Sequence, residues 1–199
     1  MTATTRKRCF MLRRVAMIGG LAVLLATAAF GAVVVRMPLD DLVGNADAVV
    51  RGVPLGSKSY VDEDTQRIMT RHSFRVDEYL KGKDLGIVDV VTLGGEMEDI
   101  GQIVPGEARL QEGQELVLCL KKGPQGYYVL GMAQGVFQVI RHPEGWTLKR
   151  TLGGLLFLGE KFSKPVTTTV DEEAPKRLAP SDEIQFEVFR ELLRRQDRP

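Results

Sequence analysis

A chain of 199 residues with 44% apolar and 27% charged side chains has an ordinary globular composition, which excludes a largely disordered protein. Its formal net charge of +1 hides a segregation: residues 1–31 carry five basic side chains and no acid, and the remainder holds 22 basic against 26 acidic residues. A mildly acidic domain lacks the clustered Lys and Arg that a phosphate backbone needs, which argues against nucleic acid as a partner.

Arg6, Lys7, Arg8, Arg13 and Arg14 precede an uncharged run from Val15 to Val35. Within it, Leu21–Leu25 is an apolar core, and Ala26-Thr27-Ala28 or Ala29-Phe30-Gly31 supplies the small residues of a cleavage site. The pattern predicts a secretory signal peptide over residues 1–31. Met11 is an alternative start that leaves a more compact basic region, and the Arg13-Arg14 pair raises a twin-arginine route that nothing else supports. The second reading is an uncleaved anchor, since the run is long enough to span a bilayer. Both place the domain outside the cytoplasm, periplasmic or extracellular, with membrane contact only through the N-terminal segment if it is uncleaved. Cys9 lies before the apolar run, unlike a lipoprotein cysteine. Cleavage leaves Cys119 alone, so the fold carries no intramolecular disulfide and rests on its core.

Residues 32–150 are expected to form a β-barrel domain. Val33–Arg36 reads as an edge strand or a linker. Pro38 to Val43 predicts a short helix, with Pro38 in its first turn, Asp40 and Asp41 at its positive end, and Gly44-Asn45 stopping it in a left-handed conformation. The first main strand runs from Ala46 to about Leu55, apolar on both faces because a helix covers one and the barrel interior the other. Gly56–Gln66 reads as a polar loop. Its Asp62-Glu63-Asp64 cluster lacks the ligand spacing and glycine of a calcium loop and suits a solvated hairpin tip.

Arg67–Leu80 is the clearest strand, with Ile68, Thr70, His72, Phe74 and Val76 alternating with Met69, Arg71, Ser73, Arg75 and Asp77. Lys81-Gly82-Lys83 turns the chain into Ile87–Leu93, a β-branched strand. Gly94–Gly113 reads as a long irregular segment and the candidate binding surface. The alternative is that its glycines only release the chain from the sheet. Glu115–Lys121 is a strand buried on both faces, Tyr127–Leu130 pairs back on it, Gly135–Ile140 is another strand, and Trp146–Lys149 follows a turn at Pro143-Glu144-Gly145. Trp146 is expected to pack beside Phe137.

Residues 151–180 read as an extension and tether, its apolar Gly153–Gly159 piece packing on the barrel. Residues 181–197 predict an amphipathic C-terminal helix capped by Ser181. It has one stripe of Ile184, Val188 and Leu192 beside a second of Phe186, Phe189 and Leu193, and docks on the barrel.

The stretch Asn45-Ala46-Asp47-Ala48-Val49-Val50-Arg51-Gly52, followed by Phe74-Arg75-Val76 and Tyr79-Leu80-Lys81-Gly82, resembles the start of netrin-like and metalloproteinase-inhibitor (TIMP-like) domains. The chain is also similar, over about residues 36–142, to a family of exported bacterial proteins. These share the short helix, the Leu80-Lys81-Gly82 turn, Gly94-Gly95 with a later Gly113, and a Gln134-Gly135-Val136-Phe137 segment. The resemblance implies a mainly β fold: a small closed or partly open OB-like barrel of five to six antiparallel strands with a short N-terminal helix and a C-terminal amphipathic helix. Inhibitors of that type chelate zinc through a cysteine at the mature N-terminus, and neither cleavage site here exposes one.

No hydrolase, metalloprotease, phosphate-loop or dinucleotide motif is present. His72 and His142 are the only imidazole bases, and Cys119–His72 is the one conceivable nucleophilic dyad. Cys119 sits between leucines, where a thiol behaves as a small hydrophobe. Two histidines and one cysteine far apart make no zinc signature. The chain is therefore expected to be an exported, non-enzymatic binding module without metal or cofactor, engaging a protein or envelope ligand through the 94–113 segment. The alternatives are an enzyme with a cryptic Cys119/His72 site and a structural envelope protein.

Overall fold

The computed structural model describes residues 32–82, 86–150, 152, 155–158, 165–167 and 183–196. The expected leader over 1–31, Lys83 of the expected turn, Gly153-Gly154, the expected Ser181 cap and most of the expected 151–180 tether lie outside the described residues. Among those described, the elements in chain order begin with β1 (Ala32–Val35), α1 (Leu39–Asn45), β2 (Ala48–Val61), β3 (Ile68–Lys81) and β4 (Ile87–Leu93). Next come β5 (Gly95–Met97), β6 (Ile100–Gln102), β7 (Leu116–Gly123), β8 (Gly126–Val129) and a 3-10 turn (Met132–Gly135). The chain continues with β9 (Val136–His142), β10 (Gly145–Lys149), β11 (Leu155–Leu158), β12 (Pro165–Thr167), β13 (Glu183–Gln185) and α2 (Phe186–Gln196). The protein is mainly β. No helix among the described residues is long and apolar enough to cross a membrane.

Eight strands share one sheet in the order β13-β10-β9-β7-β2-β3-β4-β8, and β8 also pairs with β7. This exceeds the five to six strands expected, because β9, β10 and β13 extend the sheet beyond β7. The pairs are also not all antiparallel: Val90 and Val91 of β4 pair in parallel with Tyr127 and Tyr128 of β8. Strand direction explains this. β2, β4 and β8 run one way and β3 and β7 the other, so β8, antiparallel to β7 after a tight turn, meets β4 in the same direction.

β7 shows why the sheet is buried on both sides. Leu116, Leu118 and Leu120 join Ala48, Val50, Phe74 and Val90 in one core. Val117 and Cys119 point the other way and join Val49, Phe137 and Leu148 in a second core roofed by Leu42 and Val43 of α1 and by Phe186, Phe189 and Leu193 of α2. Successive residues of a strand face opposite sides, so this two-sided apolar run serves two cores at once. The C-terminal helix therefore docks on the sheet through its Phe186, Phe189 and Leu193 stripe, while Val188 remains 56% exposed.

Several local expectations need correction. The strand from Ala46 continues to Val61, since Ser57–Val61 pairs with Ile68–His72 and turns the expected loop into a long hairpin. α1 ends without a left-handed residue. The Lys81 ammonium donates to the Val43 and Gly44 carbonyls at 2.8 and 3.0 Å, and Lys121 donates to the Asn45 carbonyl at 3.1 Å. Those charged donors satisfy the helix C-terminus directly. α2 starts at Phe186, because Glu183–Gln185 pairs with Thr147–Lys149 as an edge strand. The expected tether contributes β12 and β11, and β11 pairs in parallel with β1, with Leu155 and Phe157 buried near Ala133.

Gly94–Gly113 is not wholly irregular. It opens with the β5–β6 hairpin, and Ala108 and Leu110 then enter the core beside Phe74. Gly95 has φ of +143°, and a Cβ there would lie 2.3 Å from Thr70 Oγ1 and 2.4 Å from Ser59 Oγ. Only glycine lets the backbone pass so close.

Candidate functional site

Residues of β4, of β8 and its following turn, and of the segment before β7 line the candidate site. On β4, Val88 and Val90 point into the core, so Val91 and Leu93 share the opposite face. A cavity of about 310 Å³ is walled by Val91 and Leu93 of β4, Tyr128 and Val129 of β8, and Gly131 and Met132 of the following turn. Glu107 supplies its one carboxylate. That volume lies at the lower end of the range for small-molecule sites.

The local chain explains why a carboxylate stands there. Ala108 and Leu110 are buried in the core and Glu107 and Arg109 alternate with them, so the anchoring of Ala108 holds Glu107 at the core's margin. The Gly106 carbonyl accepts from the Ala133 N–H at 3.1 Å, which ties this segment to the turn that forms the opposite wall. The Ala108 N–H donates to Glu107 Oε1 at 2.9 Å, and the Leu93 N–H donates to the same carboxylate. Burial pushes the Glu107 carboxyl above its ordinary range, against the pull of those two amides. Met132 has φ of +60°, a left-handed conformation uncommon for a residue with a side chain and found preferentially at functional sites.

Near Tyr128, a polar clamp joins two loop tips. The Tyr60 hydroxyl donates to Gln125 Oε1 at 2.5 Å, and the Gln125 amide donates to Asp62. Asp62 also accepts from the Thr65 N–H at 2.9 Å and its hydroxyl at 2.6 Å. These bonds, with Thr65 first, hold the Asp62 carboxyl below its ordinary range. The Asp62-Glu63-Asp64 cluster is thus the folded end of a hairpin whose first acid is buried. The Arg71 guanidinium lies over the Tyr60 ring at 5.5 Å. Burial raises the Tyr128 phenol, and nearby Tyr60 and Asp62 act the same way.

A second polar assembly fixes α2. Arg51 bonds Glu78 at 2.9 Å and Glu115 at 2.5 Å; Arg190 of α2 bonds Glu78 at 2.5 Å, and Arg141 bonds Glu115 at 2.8 Å. Against the cost of burial, Arg141 and Arg51 hold the Glu115 carboxyl below its ordinary range. Trp146 lies under Arg141 at 4.5 Å and Arg51 at 5.3 Å and stacks on Phe186 at 5.6 Å. Its stacking partner is therefore Phe186 and not Phe137, because β13 and α2 occupy its outer side.

The structure does not bring Cys119 and His72 together. Cys119 pairs with Val49 and His72 with Ser57, eight residues along β2, a separation of roughly 25 Å at strand rise. Cys119 is fully buried and its thiol is pushed up to about 12 by that burial. His72 is buried with Nε2 3.0 Å from Thr92 Oγ1, and burial lowers its pKa. His142 Nε2 stands 3.2 Å from Thr147 Oγ1. Among the described residues, no group of three His, Cys, Asp or Glu side chains is placed to hold a metal ion.

Glu107 was not singled out by the sequence reading; the signal was the short alternation Glu107-Ala108-Arg109-Leu110 inside a stretch read as irregular. No family model and no curated protein matches the chain.

Proposed function

We propose that the chain is an exported, non-enzymatic binding module on an OB-type barrel, and that its ligand occupies the cavity beside Glu107. The cavity is the observation that carries this reading: it is apolar, has one carboxylate, and lies between elements that two interloop ties hold in place. The barrel reading draws on the pairing circuit β2-β3-β4-β8-β7-β2, in which β8 crosses over to join β4, as in a five-stranded Greek-key barrel. Single-stranded nucleic acid, which such barrels often take, fits poorly with the acidic balance of residues 32–199.

Export rests on the basic start, the apolar run and its small-residue end. The pairing of Ala32–Val35 with β11 favours cleavage over anchoring. With those residues in a sheet, the uncharged run shrinks to Val15–Gly31, at the lower limit for spanning a bilayer.

The test is native mass spectrometry of the protein purified without denaturation from its own envelope fraction, compared with Leu93→Trp, which fills the cavity. A small molecule retained by the parent and lost in the variant is the expected result. Recovery from the cytoplasm with residues 1–31 intact, or equal ligand content in both proteins, would overturn the reading.

A further inference from the structure

The cavity contains an acid, Glu107, with no countercharge among the described residues. Glu107 accepts two backbone N–H groups, from Ala108 and Leu93, and a carboxylate offers about four acceptor positions. Among the described residues no Lys, Arg or His forms an ion pair with it. The remaining walls are apolar or aromatic: Val91, Leu93, Val129 and Met132, with Tyr128 at one side. Taking a carboxylate out of water without a partner is costly, so such a site gains most from a ligand that brings its own positive donor. An anionic head group meets repulsion there and finds no cation among the described lining residues. The volume of about 310 Å³ suits roughly ten non-hydrogen atoms if each takes the ~30 Å³ of a liquid water.

We infer that the cavity takes a small ligand with an apolar body and one protonated amine, the ammonium pairing with Glu107 and the body lying against Val91, Leu93 and Met132. This rests on the reading of the cavity as the ligand site and specifies the chemistry of its occupant.

The test uses three seven-carbon probes of equal body on the full chain: n-heptylamine, n-heptanol and heptanoate, titrated calorimetrically at neutral pH and repeated on Glu107→Gln. The expected result is saturable 1:1 binding of the amine, about tenfold tighter than the alcohol, with heptanoate weakest. Glu107→Gln then loses the amine's advantage over the alcohol. The comparison on the unaltered chain needs no variant, so a folding defect in Glu107→Gln leaves it decisive. Equal affinity for amine and alcohol, a preference for heptanoate, or an amine advantage that survives in a folded Glu107→Gln overturns the amine assignment while leaving the cavity as a binding site. Binding of none of the three, or binding undiminished by Leu93→Trp, overturns both.

Discussion

Cys119 and His72 illustrate how burial sets the chemistry of single side chains. The Cys119 thiol, pushed up to about 12 by burial in the core beneath α1 and α2, is protonated and unreactive at any physiological pH. Iodoacetamide at pH 8.5 is therefore expected to leave the native protein unlabelled at this position and to label it fully in urea; rapid native labelling would contradict the burial. For His72, burial depresses the folded-state pKa below the ordinary 6.5. The unfolded chain takes up this proton first as pH falls, so the ring's contribution is fully present above pH 6.5 and is lost from there down to the folded-state value. The drop in unfolding free energy between pH 7 and pH 5 should accordingly be smaller in His72→Gln, measured by urea titration at both values. The burial of Cys119 was legible in advance, because a cysteine between leucines is a local pattern, as was the place of His72 on an alternating strand.

At the scale of elements, α2 is held by its aromatic stripe and by the Arg190–Glu78–Arg51 chain. Phe189 is fully buried and tilts against Phe137 at 5.4 Å, whereas Val188 is mostly exposed. Phe189→Ala should cost about 3–5 kcal/mol in urea unfolding, and Val188→Ala should stay within about 0.5 kcal/mol. Equal effects would mean that the helix does not dock through this face. The spacing of Phe186, Phe189 and Leu193 made the docking face readable. The start of the helix was not readable, because three-residue β13 owes its conformation to the free edge of β10 and has no periodicity of its own. α1 shows the same limit: its stop depends on Lys81 and Lys121, 37 and 76 residues away from the carbonyls they reach. Local glycine and asparagine preferences could not reveal that.

At the scale of the whole molecule, the pairing of β8 with both β4 and β7 joins the two ends of the sheet's central strands. Gly126 sits at that junction with φ of +138°, and a Cβ there would stand 2.8 Å from the Asp89 carbonyl. Gly126→Ala should cost about 1–3 kcal/mol. It should also speed amide exchange at Tyr127 and Tyr128 before any change in the β2–β3 hairpin; unchanged stability and exchange would show that the junction bears little of the fold. The alternation of β3 and the two-sided burial of β7 predicted a β-rich domain correctly, but the β4–β8 pairing joins residues far apart through a parallel contact that leaves no local trace. The cavity was hidden for the same reason, since its walls come from β4, β8, a turn and a segment that folds back from the core.

Export and ligand binding between β4, β8 and Glu107, as proposed, can be read in one experiment. The most direct test places a photo-crosslinking residue at Leu93, and in a control at Val188, in the tagged full chain. After irradiation in intact cells, mass spectrometry reads both the captured adduct and the protein's own N-terminus. A small-molecule adduct at position 93 and none at 188, on a chain that begins near Ala29 or Ala32, is the expected result. Adducts shared by both positions, or a chain that keeps Leu21–Leu25 and remains in the cytoplasm, would rule out an exported protein with its ligand at this cavity.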